Sequence, residues 1–268
     1  MHLASGSMPG PEGSGDGVSS HWATLEQEHD ASLLGMWVFL ATELLLFGGL
    51  FTAYTVYRTL YPAAFAEGSR HLDAVLGGIN TVVLIASSGT MAMGVNRARR
   101  GSRPRLWLIL TALLGAVFLA IKGVEYQRHF AEGLVFGTPQ VQLFMVAYFT
   151  MTGLHAVHLT VAVGIVAVLA FARARAVTYQ VVGLYWHFVD VVWVFLLALL
   201  YLVDWHPVLA LGLASLIAVL SAWFFMELRL TRGLPRLVAV ASLLWLAILI
   251  TGTLDDVLTR NWLPLPGK

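Results

Sequence analysis

Glu43 stands inside an apolar run, Trp37-Val38-Phe39-Leu40-Ala41-Thr42-Glu43-Leu44-Leu45-Leu46-Phe47, with no basic residue beside it. A charged side chain at the centre of a bilayer costs about 2.5–3.5 kcal/mol on insertion scales, so such a carboxyl needs a task or a partner. The task could be proton exchange or contact with another subunit. The alternative is a neutral carboxyl hydrogen-bonded to a neighbouring helix. His155 and His158 are three residues apart and share one helix face, as do His187 and Asp190 further on. Imidazoles on facing helices at matched depth could ligate haem. His187 could serve once, but the earlier apolar runs offer no second partner. Hydrogen bonding between helices among His155, His158, His187 and Asp190 is therefore the favoured reading. Lys122, Glu125, Arg128 and His129 form a further cluster at spacings of three and four. It is either an ion-pair network whose long side chains reach the interface or a lipid-headgroup site. There is no phosphate-binding glycine loop, no zinc-hydrolase motif and no nucleophile triad.

The elements that must position these groups are apolar helices. The 268 residues are 58% hydrophobic and only 12% charged, about half the charge usual in a soluble domain. Runs near the length that spans a hydrocarbon core recur throughout, and they are too long and uniform for barrel strands. The expected class is all-α: a polytopic membrane bundle of about seven transmembrane helices, at roughly 34–56, 72–96, 105–127, 142–171, 178–202, 207–228 and 236–255. A net charge of +1 argues against a nucleic-acid partner, and the lack of cysteine excludes disulfides, iron–sulfur clusters and a thiolate-bridged copper centre.

Residues 1–33 carry Gly10-Pro11-Glu12-Gly13 and no Lys or Arg; they read as a flexible tail, not a signal peptide. The basic loops alternate. Arg97, Arg99, Arg100, Arg103 and Arg105 mark the second, Arg173 and Arg175 the fourth, and Arg229, Arg232 and Arg236 the sixth. By the positive-inside rule these loops are cytoplasmic, which puts the N-terminus inside and the C-terminus outside. The very short fifth loop, Asp204-Trp205-His206-Pro207, marks a seam. The chain thus divides into a tail (1–33), a five-helix bundle (34–203) and a two-helix extension (204–268).

Four stretches, in order, resemble subunit III of the haem-copper oxidases in its five-helix form. They are Gly35-Met36-Trp37-Val38-Phe39-Leu40-Ala41-Thr42-Glu43, Lys122-Gly123-Val124-Glu125-Tyr126, Thr152-Gly153-Leu154-His155-Ala156-Val157-His158 and Tyr185-Trp186-His187-Phe188-Val189-Asp190-Val191-Val192-Trp193. The tail is similar to the small subunit IV of bacterial oxidases, through Phe224-Phe225-Met226-Glu227-Leu228-Arg229 and Thr253-Leu254-Asp255-Asp256-Val257-Leu258-Thr259-Arg260. The resemblance implies an accessory subunit of a proton-pumping cytochrome c oxidase in a bacterial plasma membrane. On that analogy the chain has no catalytic residue and no metal; haem and copper sit in subunits I and II, and phospholipid is a bound partner. Cytochrome c, or a respiratory supercomplex, would be met through the other subunits. Glu43 matches the family's carbodiimide-reactive carboxyl. The rivals are a quinol oxidase or a nitric-oxide-reductase-linked homologue within the family, and a stand-alone dihaem cytochrome b or a transporter outside it. A transporter would show inverted repeats and broken helices, which the sequence lacks.

Overall fold

A computed structural model of the chain describes residues 25–133 and 138–201. They form six helices: α1 Leu25–Leu60, α2 Pro62–Ser69, α3 Ala74–Arg99, α4 Arg105–Ala131, α5 Pro139–Phe171 and α6 Ala176–Leu200. All except α2 are long and apolar enough to cross a membrane, so the described part is a helical membrane bundle with five candidate spans. The expected spans at 207–228 and 236–255, and the seam before them, lie outside the described residues.

Local signals account for the helix ends. Asp73 caps α3, its carboxylate accepting from the backbone N–H groups of Val75 (2.9 Å) and Leu76 (3.1 Å). Thr138 caps α5, with Pro139 in the first turn where no N–H is needed. Gly101 and Gly133 adopt φ of 72° and 68° just past α3 and α4, a backbone conformation that glycine takes without penalty.

Helices α3, α4, α5 and α6 pack as a closed ring in which each backbone runs beside two of the other three, with side chains of α4 and α6 meeting across the middle. Helix α1 lies outside the ring, mainly on α6, and α2 lies on α5. This makes α6 the best buried span, with its tryptophans Trp186 and Trp193 wholly inside. Glycine permits close approach within the ring. A Cβ added to Gly115 of α4 would lie 2.7 Å from Val163 of α5 and 2.8 Å from Trp186 of α6.

Two features differ from the expectation. Residues 25–33, the end of the expected tail, are helical and run on into the span of α1. Its added turns are held by α6, because Glu28 pairs with Arg175 at 2.5 Å and His29 meets Gln180 at 3.2 Å. The loop after α1 contains α2, a short helix whose Phe65 is fully buried against Tyr54 and Phe144. Eight residues are too few for a clear helical period, and Pro62, which starts it, reads equally well as a loop signal.

Candidate functional site

The C-terminal half of α4 turns a charged pair into the bundle. Lys122 and Glu125 are one helical turn apart and their side chains are only 5% and 3% exposed. The Lys122 ammonium donates to Glu125 Oε2 (3.0 Å), to the Tyr148 hydroxyl (2.9 Å) and to the Tyr201 hydroxyl (2.6 Å). Tyr148 donates to Glu125 Oε1 at 2.8 Å, and Tyr201 donates to the same oxygen. Every ammonium proton is therefore used, and each phenol accepts from the lysine while donating to the carboxylate. Around this, Lys122 Nζ lies 5.0–5.6 Å from the ring centres of Tyr126, Tyr148, Trp193 and Tyr201, within cation–π range. A buried pair is tolerable only when its remaining hydrogen-bonding capacity is met, and here it is. The cluster locks α4, α5 and the end of α6 together. Beside it the Tyr126 and Thr152 hydroxyls bond at 2.5 Å.

Of the other two residues expected there, Arg128 is exposed. His129 is buried against Tyr148 and Phe149. The spacing of Lys122 and Glu125 in the sequence revealed the pair; their partners Tyr148 and Tyr201 gave no signal. The only available hint was a tyrosine at an otherwise apolar position in each of two later spans.

Glu43 and His158 form the second polar link. His158 Nε2 lies 2.9 Å from Glu43 Oε2, and its Nδ1 donates to the Leu154 carbonyl at 2.8 Å. That second bond puts the proton on Nδ1, so a neutral His158 accepts at Nε2 and Glu43 must then supply the proton; an ionised Glu43 instead requires imidazolium. Either arrangement holds one transferable proton between the two. Phe47 packs edge-on against His158 at 5.3 Å, and Tyr185 donates to the His158 carbonyl at 3.2 Å. The two side chains are 14% and 15% exposed.

The remaining expected residues sit deeper in the ring. His187 Nδ1 meets the Ser88 hydroxyl at 2.7 Å. Beside it, Trp186 donates to Ser87 at 3.2 Å, and about two turns away Trp193 donates to Thr81 at 2.9 Å. These three bonds form a ladder between α3 and α6. His155 rests against Phe118 and Trp193, with neither ring nitrogen hydrogen-bonded. Asp190 has Ser88 within reach, yet both carboxyl oxygens lack a bond of good geometry. Among the described residues no three His, Asp or Glu side chains converge as a metal ion would need. His158 spends both ring nitrogens on protein partners, so it has none to offer a haem iron.

The chain is 36% identical over 185 residues to cytochrome c oxidase subunit 3 of Synechocystis sp. (strain ATCC 27184 / PCC 6803 / Kazusa), covering 65% of this chain and 76% of that protein. It is 38% identical over 182 residues to the subunit of the same name from Corynebacterium diphtheriae, covering 64% and 87%. It is also 33% identical over 180 residues to quinol oxidase subunit 3 of Bacillus subtilis (strain 168), covering 64% and 86%. The family model described as cytochrome c oxidase subunit III matches residues 20–206, which include all six helices and both polar links. The chain belongs to the cytochrome c oxidase subunit III family.

Proposed function

We propose that this chain is a non-redox accessory subunit of a proton-pumping haem-copper terminal oxidase that takes electrons from cytochrome c. It flanks subunit I, with haem and copper held by subunits I and II. The observation that carries this reading is the family match over residues 20–206, the whole described bundle. The chemistry agrees with it. The Lys122–Glu125 cluster is closed on itself and serves packing. The Glu43–His158 pair is a partly exposed link between helices that holds an exchangeable proton, which suits a role in supporting proton uptake. Cytochrome c is the proposed donor because relatives at 36% and 38% identity carry that name, against 33% for the quinol oxidase relative.

The membrane setting is a bacterial plasma membrane, with the N-terminus cytoplasmic and the C-terminus outside. Arg105 stacks on Phe171 at 4.7 Å and Arg175 pairs with Glu28. The two arginine-rich loops and the start of α1 thus share one end of the bundle, as the positive-inside rule requires. Phospholipid is a proposed ligand at that end. An apolar groove of about 460 Å³ lies between α5 and α6, lined by Val161, Ile165, Val168, Leu169 and Val182. Arg173, exposed at the adjoining turn, supplies charge for a headgroup. Residues 204–268 are proposed to be the subunit IV-like extension.

The test is purification through a tag on this chain. Oxidase subunits I and II should co-purify, with haem and copper, and the complex should oxidise reduced cytochrome c. Faster turnover with quinol would move the chain to the quinol branch. A Soret band that stays with the isolated chain, or a preparation without a catalytic subunit, would overturn the proposal.

A further inference from the structure

Ser88 is set apart from other hydroxyl side chains of the ring. Thr81, Ser87, Thr90, Thr111 and Thr152 each donate to a carbonyl three or four residues back on their own helix. Ser88 does not. Among the described residues its hydroxyl has one hydrogen bond, to His187 Nδ1 of α6 at 2.7 Å.

The packing of α3 on α6 brings Asp190 to the same level. The two helices run antiparallel along a line of contacts. A Cβ on Gly183 would lie 2.9 Å from Val95, His187 meets Ser88, Trp193 donates to Thr81 at 2.9 Å, and a Cβ on Gly77 would lie 3.0 Å from Leu197. Asp190 lies midway between His187 and Trp193 on α6, so it stands opposite the stretch of α3 from Thr81 to Ser88. It is also one turn from His187 and shares its face. In that stretch Thr81 and Ser87 are taken by Trp193 and Trp186 and by their own helix. Ser88 is the remaining hydroxyl, and Asp190 has it within reach.

Asp190 is 7% exposed and has no ion-pair partner among the described residues. A carboxylate is costly to bury without a cation, whereas the acid form is neutral and brings a hydrogen to donate. A serine hydroxyl has one hydrogen and two lone pairs, so it can accept from an acid and donate to an imidazole at once.

We propose that Asp190, Ser88 and His187 form a proton-holding site inside the ring, in which protonated Asp190 donates to the Ser88 hydroxyl and Ser88 donates to His187 Nδ1. A turn of the Asp190 carboxyl, with both helices in place, completes the first bond. The ligand of the site is a single proton. In its transfer Asp190 gives its hydrogen to Ser88 Oγ as Ser88 gives its own to Nδ1, which leaves carboxylate and imidazolium on either side of the hydroxyl and moves no electron between residues. The neutral form is the resting one, because it buries no charge. The site joins α3 to α6 and is separate from the Glu43–His158 link between α1 and α5.

Infrared spectroscopy of the intact membrane complex tests this, with aspartate isotope-labelled at its side-chain carboxyl carbon so that Glu43 and every other glutamate stay silent. The carbonyl band of a protonated acid should shift with the label and be lost in Asp190→Asn. In Ser88→Ala, which removes only the hydroxyl oxygen, that band should move to higher frequency because the acid loses its partner. Ser87→Ala should leave it in place. Absence of a labelled acid band would overturn the site, as would its full survival in Asp190→Asn or an unmoved band in Ser88→Ala. If Asp190→Asn fails to assemble, the comparison of wild type with Ser88→Ala decides alone.

Discussion

Glu43 and His158 stand 115 positions apart and meet at 2.9 Å, so a polar contact clasps the outlying helix α1 to α5. The clasp can be cut without disturbing the ring. Glu43→Gln keeps a hydrogen-bonding group opposite His158, and the complex should assemble with nearly unchanged thermal stability. Glu43→Leu leaves the His158 nitrogen unpaired and should cost about 1–3 kcal/mol, read as a lower melting midpoint of the purified complex. Disappearance of the complex from the membrane in the Gln variant would contradict the assignment.

The Lys122–Glu125 pair should behave as a unit. Glu125→Leu strands a buried ammonium and is expected to cost about 3–5 kcal/mol. The double variant Lys122→Met with Glu125→Leu should be less damaging than Glu125→Leu alone. A double-mutant cycle on thermal midpoints measures this, and additive losses would argue against a closed cluster.

Steric demand separates two glycines of α4. Gly115→Val drives methyl groups into Val163 and Trp186 and should destabilise by about 1–3 kcal/mol. A Cβ at Gly123 meets nothing within 4 Å, so Gly123→Ala should leave assembly and melting unchanged. Equal effects at the two positions would refute the observed packing of α4 on α5 and α6.

Chemical accessibility separates two carboxyls of the bundle, Glu43 and Glu125. A hydrophobic carbodiimide should modify Glu43, whose side chain is 14% exposed, and spare Glu125 at 3%. Peptide mass spectrometry of treated membranes reads the outcome, and modification at Glu125 first would reverse the accessibility order.

Spacing within one helix was legible in the sequence; contact between helices was not. Lys122 and Glu125 lie a turn apart, so the pair could be read directly. His187 and Asp190 are also a turn apart, but spacing could not reveal that His187 turns to Ser88, because a serine in an apolar span carries little signal. The partner of Glu43 was invisible for the same reason: several histidines were available and only the crossing of α1 over α5 selects His158. The five apolar spans followed from length and composition, since lipid admits little else. The early start of α1 did not, because residues 25–33 are polar and their helix depends on Arg175 and Gln180 far along the chain.

Placing α1 outside the ring has a consequence for biogenesis. Helix α1 leaves the ribosome before the other described spans, yet its footholds are on α5 and α6, the last of them. At about 5–20 residues per second, the 115 residues between Glu43 and His158 take about 6–23 s to make. Throughout that interval the newly inserted helix carries an unmatched carboxyl among lipid tails. Chaperoning of this first span, or its early capture by another membrane protein, is therefore a requirement of the chain's own topology.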